Sequence, residues 1–216
     1  MESEFLQADD ILGPEGRIAA RLNNYEHRMQ QLEMAEAVAV ALADKRHLVV
    51  EAGTGVGKSF AYLVPSILAA TDPEDGTIET EDSEIRNRRI VISTHTISLQ
   101  EQLLGQDLPL LNSVIPREFS AVLVKGRSNY LSQRRLKNAL KRSATLFEGD
   151  QELDQLSLIT QWANETTDGS RSTLPFQPIP GVWDEVASDS GNCLGRACPS
   201  YKSCFYFRAR RRMEHA

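Results

Sequence analysis

The sequence predicts an α/β fold: a parallel sheet flanked by helices and shaped to hold a nucleotide, with a mostly helical, cysteine-bearing segment attached. Three observations carry that expectation. The run Leu48-Val49-Val50-Glu51-Ala52-Gly53-Thr54-Gly55-Val56-Gly57-Lys58-Ser59 passes from β-branched residues into glycines and ends in Lys-Ser before an apolar helix. That is the order a phosphate-binding loop needs. Two further runs, Arg89-Ile90-Val91-Ile92-Ser93-Thr94 and Ala121-Val122-Leu123-Val124, read as buried strands. Cys193, Cys198 and Cys204 lie close together near the end of the sequence given, as thiols sharing one metal centre would.

Residues 1–24 form a first segment, in which Ile18, Ala19 and Leu22 suggest a short helix after Gly13-Pro14. Residues 25–125 form the nucleotide-binding core. There Leu32, Ala35, Val38, Ala39 and Leu42 share one face of a helix. In the loop that follows, Gly53, Thr54, Gly55, Val56 and Gly57 let backbone N–H groups turn toward phosphate oxygens. Lys58 then sits on the β and γ phosphates and Ser59 on a magnesium ion, which makes these two the catalytic candidates. Phe60, Leu63, Ile67 and Leu68 continue as an apolar helix that Pro65 is expected to kink or shorten.

Residues 71–84 carry seven acids and no base, the composition of a solvated loop. The second strand ends in Ser93-Thr94-His95-Thr96, and residues 97–104 read as a helix. Hydroxyls at that junction can cap the helix or hold a backbone phosphate. The third strand runs into residues 125–142, where Lys125, Arg127, Arg134, Arg135, Lys137, Lys141 and Arg142 occur without an acid. With Tyr130 beside them, these cations suit a single-stranded backbone and a stacked base, although a solvated helix face would look the same. Residues 126–216 make up the cysteine-bearing segment. It holds an amphipathic helix over 150–166, with Leu153, Leu156, Ile159 and Trp162 inward, and a proline-rich connector over 173–180.

A chain of 216 residues with a formal charge of −6 excludes an all-over basic nucleic-acid coat and leaves room for a local basic face. No apolar run reaches membrane-spanning length, and Met1-Glu2-Ser3-Glu4-Phe5 lacks a secretory pattern. A cytoplasmic monomer is expected. Three closely spaced cysteines suit a metal site in a reducing compartment better than a disulfide framework. Thiolates serve zinc and iron–sulfur clusters alike, and spacing does not choose between them.

Several motifs taken together carry a resemblance. Arg28-x-x-Gln31-x-x-Met34, Ala52-x-x-Gly55-x-Gly57-Lys58-Ser59, Lys125-Gly126-Arg127-x-Asn129-Tyr130-Leu131 and Cys193-x4-Cys198-x5-Cys204 resemble the XPD/DinG family of iron–sulfur superfamily 2 DNA helicases. The resemblance covers nearly the whole chain. It implies a RecA-like motor domain interrupted by a [4Fe–4S] domain, with ATP and Mg2+ as cofactors. It also implies 5′ to 3′ translocation on single-stranded or forked DNA. Gln31 becomes the adenine reader, with Tyr25 as a ring partner. Thr94, Thr96, Lys125, Arg127, Tyr130, Arg134 and Arg135 become DNA contacts. The family's first cluster cysteine falls on Ser132, a poor soft-metal donor. No second RecA-like domain is expected in these residues, nor the carboxylate pair that hydrolysis needs, so the chain alone is expected to bind rather than unwind. Two other readings remain open: an unrelated phosphate-loop ATPase or kinase, and a metal-stapled nucleic-acid-binding module with a vestigial loop.

Overall fold

The computed structural model describes residues 6–72, 89–147 and 149–214; most of the acidic stretch over 71–84 lies outside them. The chain divides into two compact units, Met1–Ala121 and Val122–Ala216.

In the first unit, helices α1 (Ala8–Leu12) and α2 (Arg17–Arg21) precede α3 (Met29–Ala43) and α4 (Lys58–Ala70). The longest contact is α3 against α4. Ala35 of α3 and Ala61, Leu63, Val64, Ile67 and Leu68 of α4 are buried with Ile11, Leu12 and Ile18 from the leading helices. Each large aliphatic side chain so buried contributes about 1.5–3 kcal/mol. Helix α4 passes through Pro65 and runs on to Ala70, so the proline does not end it. Helix α5 (Ile97–Gln102) opens into a wide π turn over Leu103–Asp107 before α6 (Leu108–Val114). The helix expected over 97–104 is therefore shorter than its apolar pattern.

The parallel sheet is overturned. Among the described residues there is no strand, and no RecA-like layer of strands forms. The runs over 48–52, 90–94 and 121–124 are unpaired backbone. Val49 is 96 % exposed and Val91 is 89 % exposed, while Ile90, Val122, Leu123 and Val124 are half-buried. The physical reason is that β-branched runs report only a preference for extended backbone. A ladder also needs a neighbouring edge in register, and local sequence does not encode one.

The second unit contains α7 (Gln133–Lys141), α8 (Ser143–Leu146), α9 (Asp150–Glu165), α10 (Pro180–Val186) and α11 (Phe205–Glu214). Its core gathers Leu131, Leu136, Leu156, Ile159, Trp162, Val182, Trp183 and Val186. The N-cap of helix α9 is Gly149, whose N–H donates to the Glu152 carboxylate at 3.4 Å. Two isolated antiparallel bridges, Tyr130 with Ser170 and Leu131 with Ala187, tie the segment before α7 to the later loops. Asp184 and Glu185 sit on α10, not at the end of a strand.

Candidate functional site: a self-closed phosphate loop and a thiol pocket

Gly57 stands at φ +84° and α4 begins at the next residue. A Cβ at position 57 would overlap the Gln31 amide, so backbone conformation and space both demand glycine there. Lys58 and Ser59 consequently occupy the first turn of a 13-residue helix, at its positive end. The Lys58 ammonium turns back across the loop and donates to the carbonyls of Ala52 at 3.0 Å and Gly53 at 2.7 Å. Gly53, Thr54 and Gly55 are exposed and Val56 is half-buried.

Side chains from before α3 and from its first turn close on the same loop. Gln31 is buried, its Nε2 donating to the Gly57 carbonyl at 2.9 Å. Arg28 donates to the Gly55 carbonyl and pairs with Glu26 at 2.7 Å. The Tyr25 hydroxyl lies 3.2 Å from Gln31 Oε1 and 2.7 Å from the Leu12 carbonyl. Tyr25, expected as a ring partner for the base, thus meets Gln31 through its hydroxyl. Burial pushes its pKa up, with the Arg28 charge opposing, so near neutral pH it remains a proton donor.

Sequence reasoning missed a second layer around Ser59. Asp107, at the end of the π turn, is buried. Desolvation raises its carboxyl pKa, while hydrogen bonds with Gln102 and Ser59 pull it down. The Tyr62 hydroxyl also bonds Ser59, and burial raises its pKa. The signal was faint: Asp107 is one of two acids, with Glu101, in an otherwise uncharged helix pattern. Thr96 caps α5 by accepting from the Leu99 N–H at 3.3 Å, and Thr94 donates to the Thr96 carbonyl at 3.1 Å.

In the second unit most of the expected DNA contacts are engaged internally. Lys125 is buried and its ammonium bonds the hydroxyls of Ser170, at 3.0 Å, and Ser172. Tyr130 is 4 % exposed, its hydroxyl accepting from the Lys125 N–H at 3.0 Å, so its ring offers no open face. Arg135 donates to the carbonyls of Ala187 at 2.9 Å and Asp184 at 2.6 Å. Arg134 donates to the carbonyl of Asn192. The Arg127 guanidinium stacks 4.0 Å above the Tyr206 ring. Lys137, Lys141, Arg142, Arg210 and Arg212 are exposed. The α11 run Phe205-Tyr206-Phe207-Arg208-Ala209-Arg210-Arg211-Arg212 was legible as an aromatic and basic pattern but went unread.

Cys193, Cys198 and Cys204 line one cavity together with Ser132, Arg134, Arg135, Tyr201 and Phe207. The Gly195 N–H donates to Cys193 Sγ at 3.4 Å. That bond, with Arg127 and Arg134 nearby, pulls the exposed Cys193 thiol below its ordinary pKa against the opposing effect of burial. The pocket does not fit a four-thiolate cluster. Its volume is about 30 Å³, room for a water or two. Ser132 Oγ is occupied as the N-cap of α7, accepting from the Arg135 N–H at 3.4 Å. Among the described residues, no three His, Cys, Asp or Glu side chains are grouped to hold an ion. No helix among them is long and apolar enough to cross a membrane.

No protein-family model matches the chain. It is similar to three curated bacterial proteins in particular. ATP-dependent DNA helicase YoaA of Escherichia coli (strain K12) is 36% identical over 207 residues, covering 94% of this chain and 29% of that protein. ATP-dependent helicase DinG of Mycobacterium tuberculosis (strain ATCC 25618 / H37Rv) is 39% identical over 211 residues, covering 88% and 29%. ATP-dependent DNA helicase DinG of Photobacterium profundum is 32% identical over 209 residues, covering 91% and 28%. The chain thus spans under a third of the length of these relatives.

Proposed function

Because this chain is homologous over about nine-tenths of its length to the DinG and YoaA ATP-dependent DNA helicases, we propose that it is the nucleotide-binding part of such a helicase. The observation that carries the proposal is the meeting of Arg28, Gln31 and Lys58 on residues 52–57, at the start of α4. These three come from two separate stretches of sequence. Each spends its N–H groups on loop carbonyls that a triphosphate would compete with.

ATP binding exchanges one set of partners for another. Phosphate oxygens draw Lys58 Nζ away from the carbonyls of Ala52 and Gly53, and the first N–H groups of α4 face the same anion. Ser59, whose hydroxyl proton Asp107 can accept, would hold the magnesium ion that accompanies a triphosphate, and that ion would supply charge neutralisation to the phosphates. Gln31 releases the Gly57 carbonyl and turns its amide to the base. A strand of nucleic acid is assigned to the exposed cations of the second unit, Arg210 and Arg212 on α11 with Lys137 and Lys141 on α7. The four-cysteine iron–sulfur centre that the resemblance implied is not part of this proposal, since the donors at 132, 193, 198 and 204 do not match it.

The test is equilibrium binding of a fluorescent ATP analogue to the 216-residue chain. Lys58→Ala is expected to weaken binding at least about 30-fold, from the loss of charge-assisted bonds to phosphate. Equal affinity in both proteins would refute the loop assignment.

A further inference from the structure

We propose that Asp107 is a positioning residue that makes nucleotide binding at this site depend on magnesium, by taking the proton of the Ser59 hydroxyl and leaving that oxygen open to the cation. The inference rests on the nucleotide-binding reading above and adds to it a residue from a distant stretch of sequence.

Asp107 ends the π turn between α5 and α6 and is 7 % exposed. The turn packs against α4, and Ser59 lies in the first turn of that helix. Leu103 and Leu111, about one turn to either side of Asp107, are buried, so the carboxylate stands where an aliphatic side chain would suit the core. Gln102 Nε2 donates to its Oδ2 at 3.5 Å, and Ser59 bonds it from α4. Tyr62, one turn further along α4, bonds Ser59 as well. These three neighbours are all uncharged.

A buried carboxylate among neutral groups is unfavourable in an apolar core, and π turns recur at functional sites. A cation held on the Ser59 oxygen accounts for both. In its ionised form the carboxylate can only accept, and a serine hydroxyl has one proton and two lone pairs. Asp107 therefore draws the proton to itself. Tyr62 engages at most one lone pair, and the other stays open. Hydroxyl and carboxylate oxygens are the hard donors that magnesium accepts. A carboxylate hydrogen-bonded to a metal ligand fixes that ligand's direction and raises its basicity. Asp107 thus acts through Ser59 rather than by touching the nucleotide.

The experiment measures ATP affinity by titration calorimetry, once with excess Mg2+ and once in EDTA, for the natural chain, Asp107→Asn, Ser59→Ala and the double variant. The quantity read is the ratio of the two affinities, which a merely structural role for Asp107 would leave alone. Asparagine keeps the shape of the side chain and removes its charge. Asp107→Asn is expected to lower the ratio about tenfold, the lower end of what hydrogen-bond partners of metal ligands contribute to metal affinity. Asp107→Leu, which suits the aliphatic neighbours, is a second variant with the same expectation. In the Ser59→Ala background the effect of Asp107→Asn is expected to shrink to within about twofold of none. A natural chain whose ATP affinity ignores Mg2+, an unmoved ratio in the Asp107 variants or an equal fold-change in the Ser59→Ala background would each overturn the proposal. Lys58→Ala separates the two levels. If it leaves ATP affinity intact, the nucleotide site itself is wrong; if it weakens ATP binding while the Asp107 variants keep the natural ratio, only the role of Asp107 fails.

Discussion

Gly57 shows how much one residue can be asked to do. It takes a left-handed φ, leaves room for the Gln31 amide, accepts a hydrogen bond from that amide and delivers the chain into α4 at Lys58. The first and last duties are legible in Gly-Val-Gly-Lys-Ser, because only glycine adopts that φ without cost before a helix. The middle two depend on a residue 26 positions earlier, and spacing could only suggest them. Cys193 makes a comparable point about charge. Its thiol is pulled to lower pKa by a backbone N–H two residues on and by two arginines from the segment before α7 and from α7 itself. Lowering an acid's pKa favours its charged form, so alkylation at Cys193 should set in at lower pH in the folded chain. Peptide-mapped iodoacetamide rates against pH should show the Cys193 inflection moving up to the ordinary thiol range when the chain is unfolded in urea.

At the scale of elements, α7 packs against α8, α9 and α10 in the second unit. Helix α7 reads from sequence as a basic DNA-binding face. Two of its arginines in fact stitch α10 and the loop after it to the helix through the backbone carbonyls of Asp184, Ala187 and Asn192, a use that charge patterning cannot reveal. Its first residue follows Ser132, which caps it, so the position where the resemblance puts a cluster cysteine already has a structural duty. Ser132→Cys is expected to leave iron and acid-labile sulfide per chain no higher than in the natural protein after anaerobic reconstitution, because a fourth soft donor does not enlarge a pocket of about 30 Å³. A higher iron content in the variant would mean that the thiol pocket opens to admit a cluster. The same substitution removes a favourable cap, at a cost of about 1 kcal/mol, so its melting temperature belongs beside the iron assay.

Across the whole molecule, a chain of net charge −6 is proposed to hold a polyanion. Net charge governs long-range attraction, and local cations govern contact. Each phosphate contact contributes a slope of about 0.7 in the logarithm of affinity against the logarithm of salt for a single strand. Arg210→Ala with Arg212→Ala should therefore weaken oligonucleotide binding and flatten that slope by about 1.4 when both arginines contact phosphate. Fluorescence anisotropy at several salt concentrations reads both; an unchanged slope would remove α11 from the interface.

The sequence by itself determined the local features. They are the glycine loop and its Lys-Ser end, the helix that follows, the closeness of three cysteines, the resemblance to the DinG family and most of the apolar face of α9, where Leu156, Ile159 and Trp162 are buried and Leu153 is exposed. Such features depend on neighbours a few residues apart, so composition and spacing report them directly. Tertiary structure alone decided that Lys125 and Tyr130 are buried, that Asp107 reaches Ser59 and that Tyr25 meets Gln31 by its hydroxyl. It also decided that the β-branched runs stay unpaired among the described residues. Burial and pairing are properties of what packs against a residue, and a run of valines carries no record of whether a partner strand lies beside it.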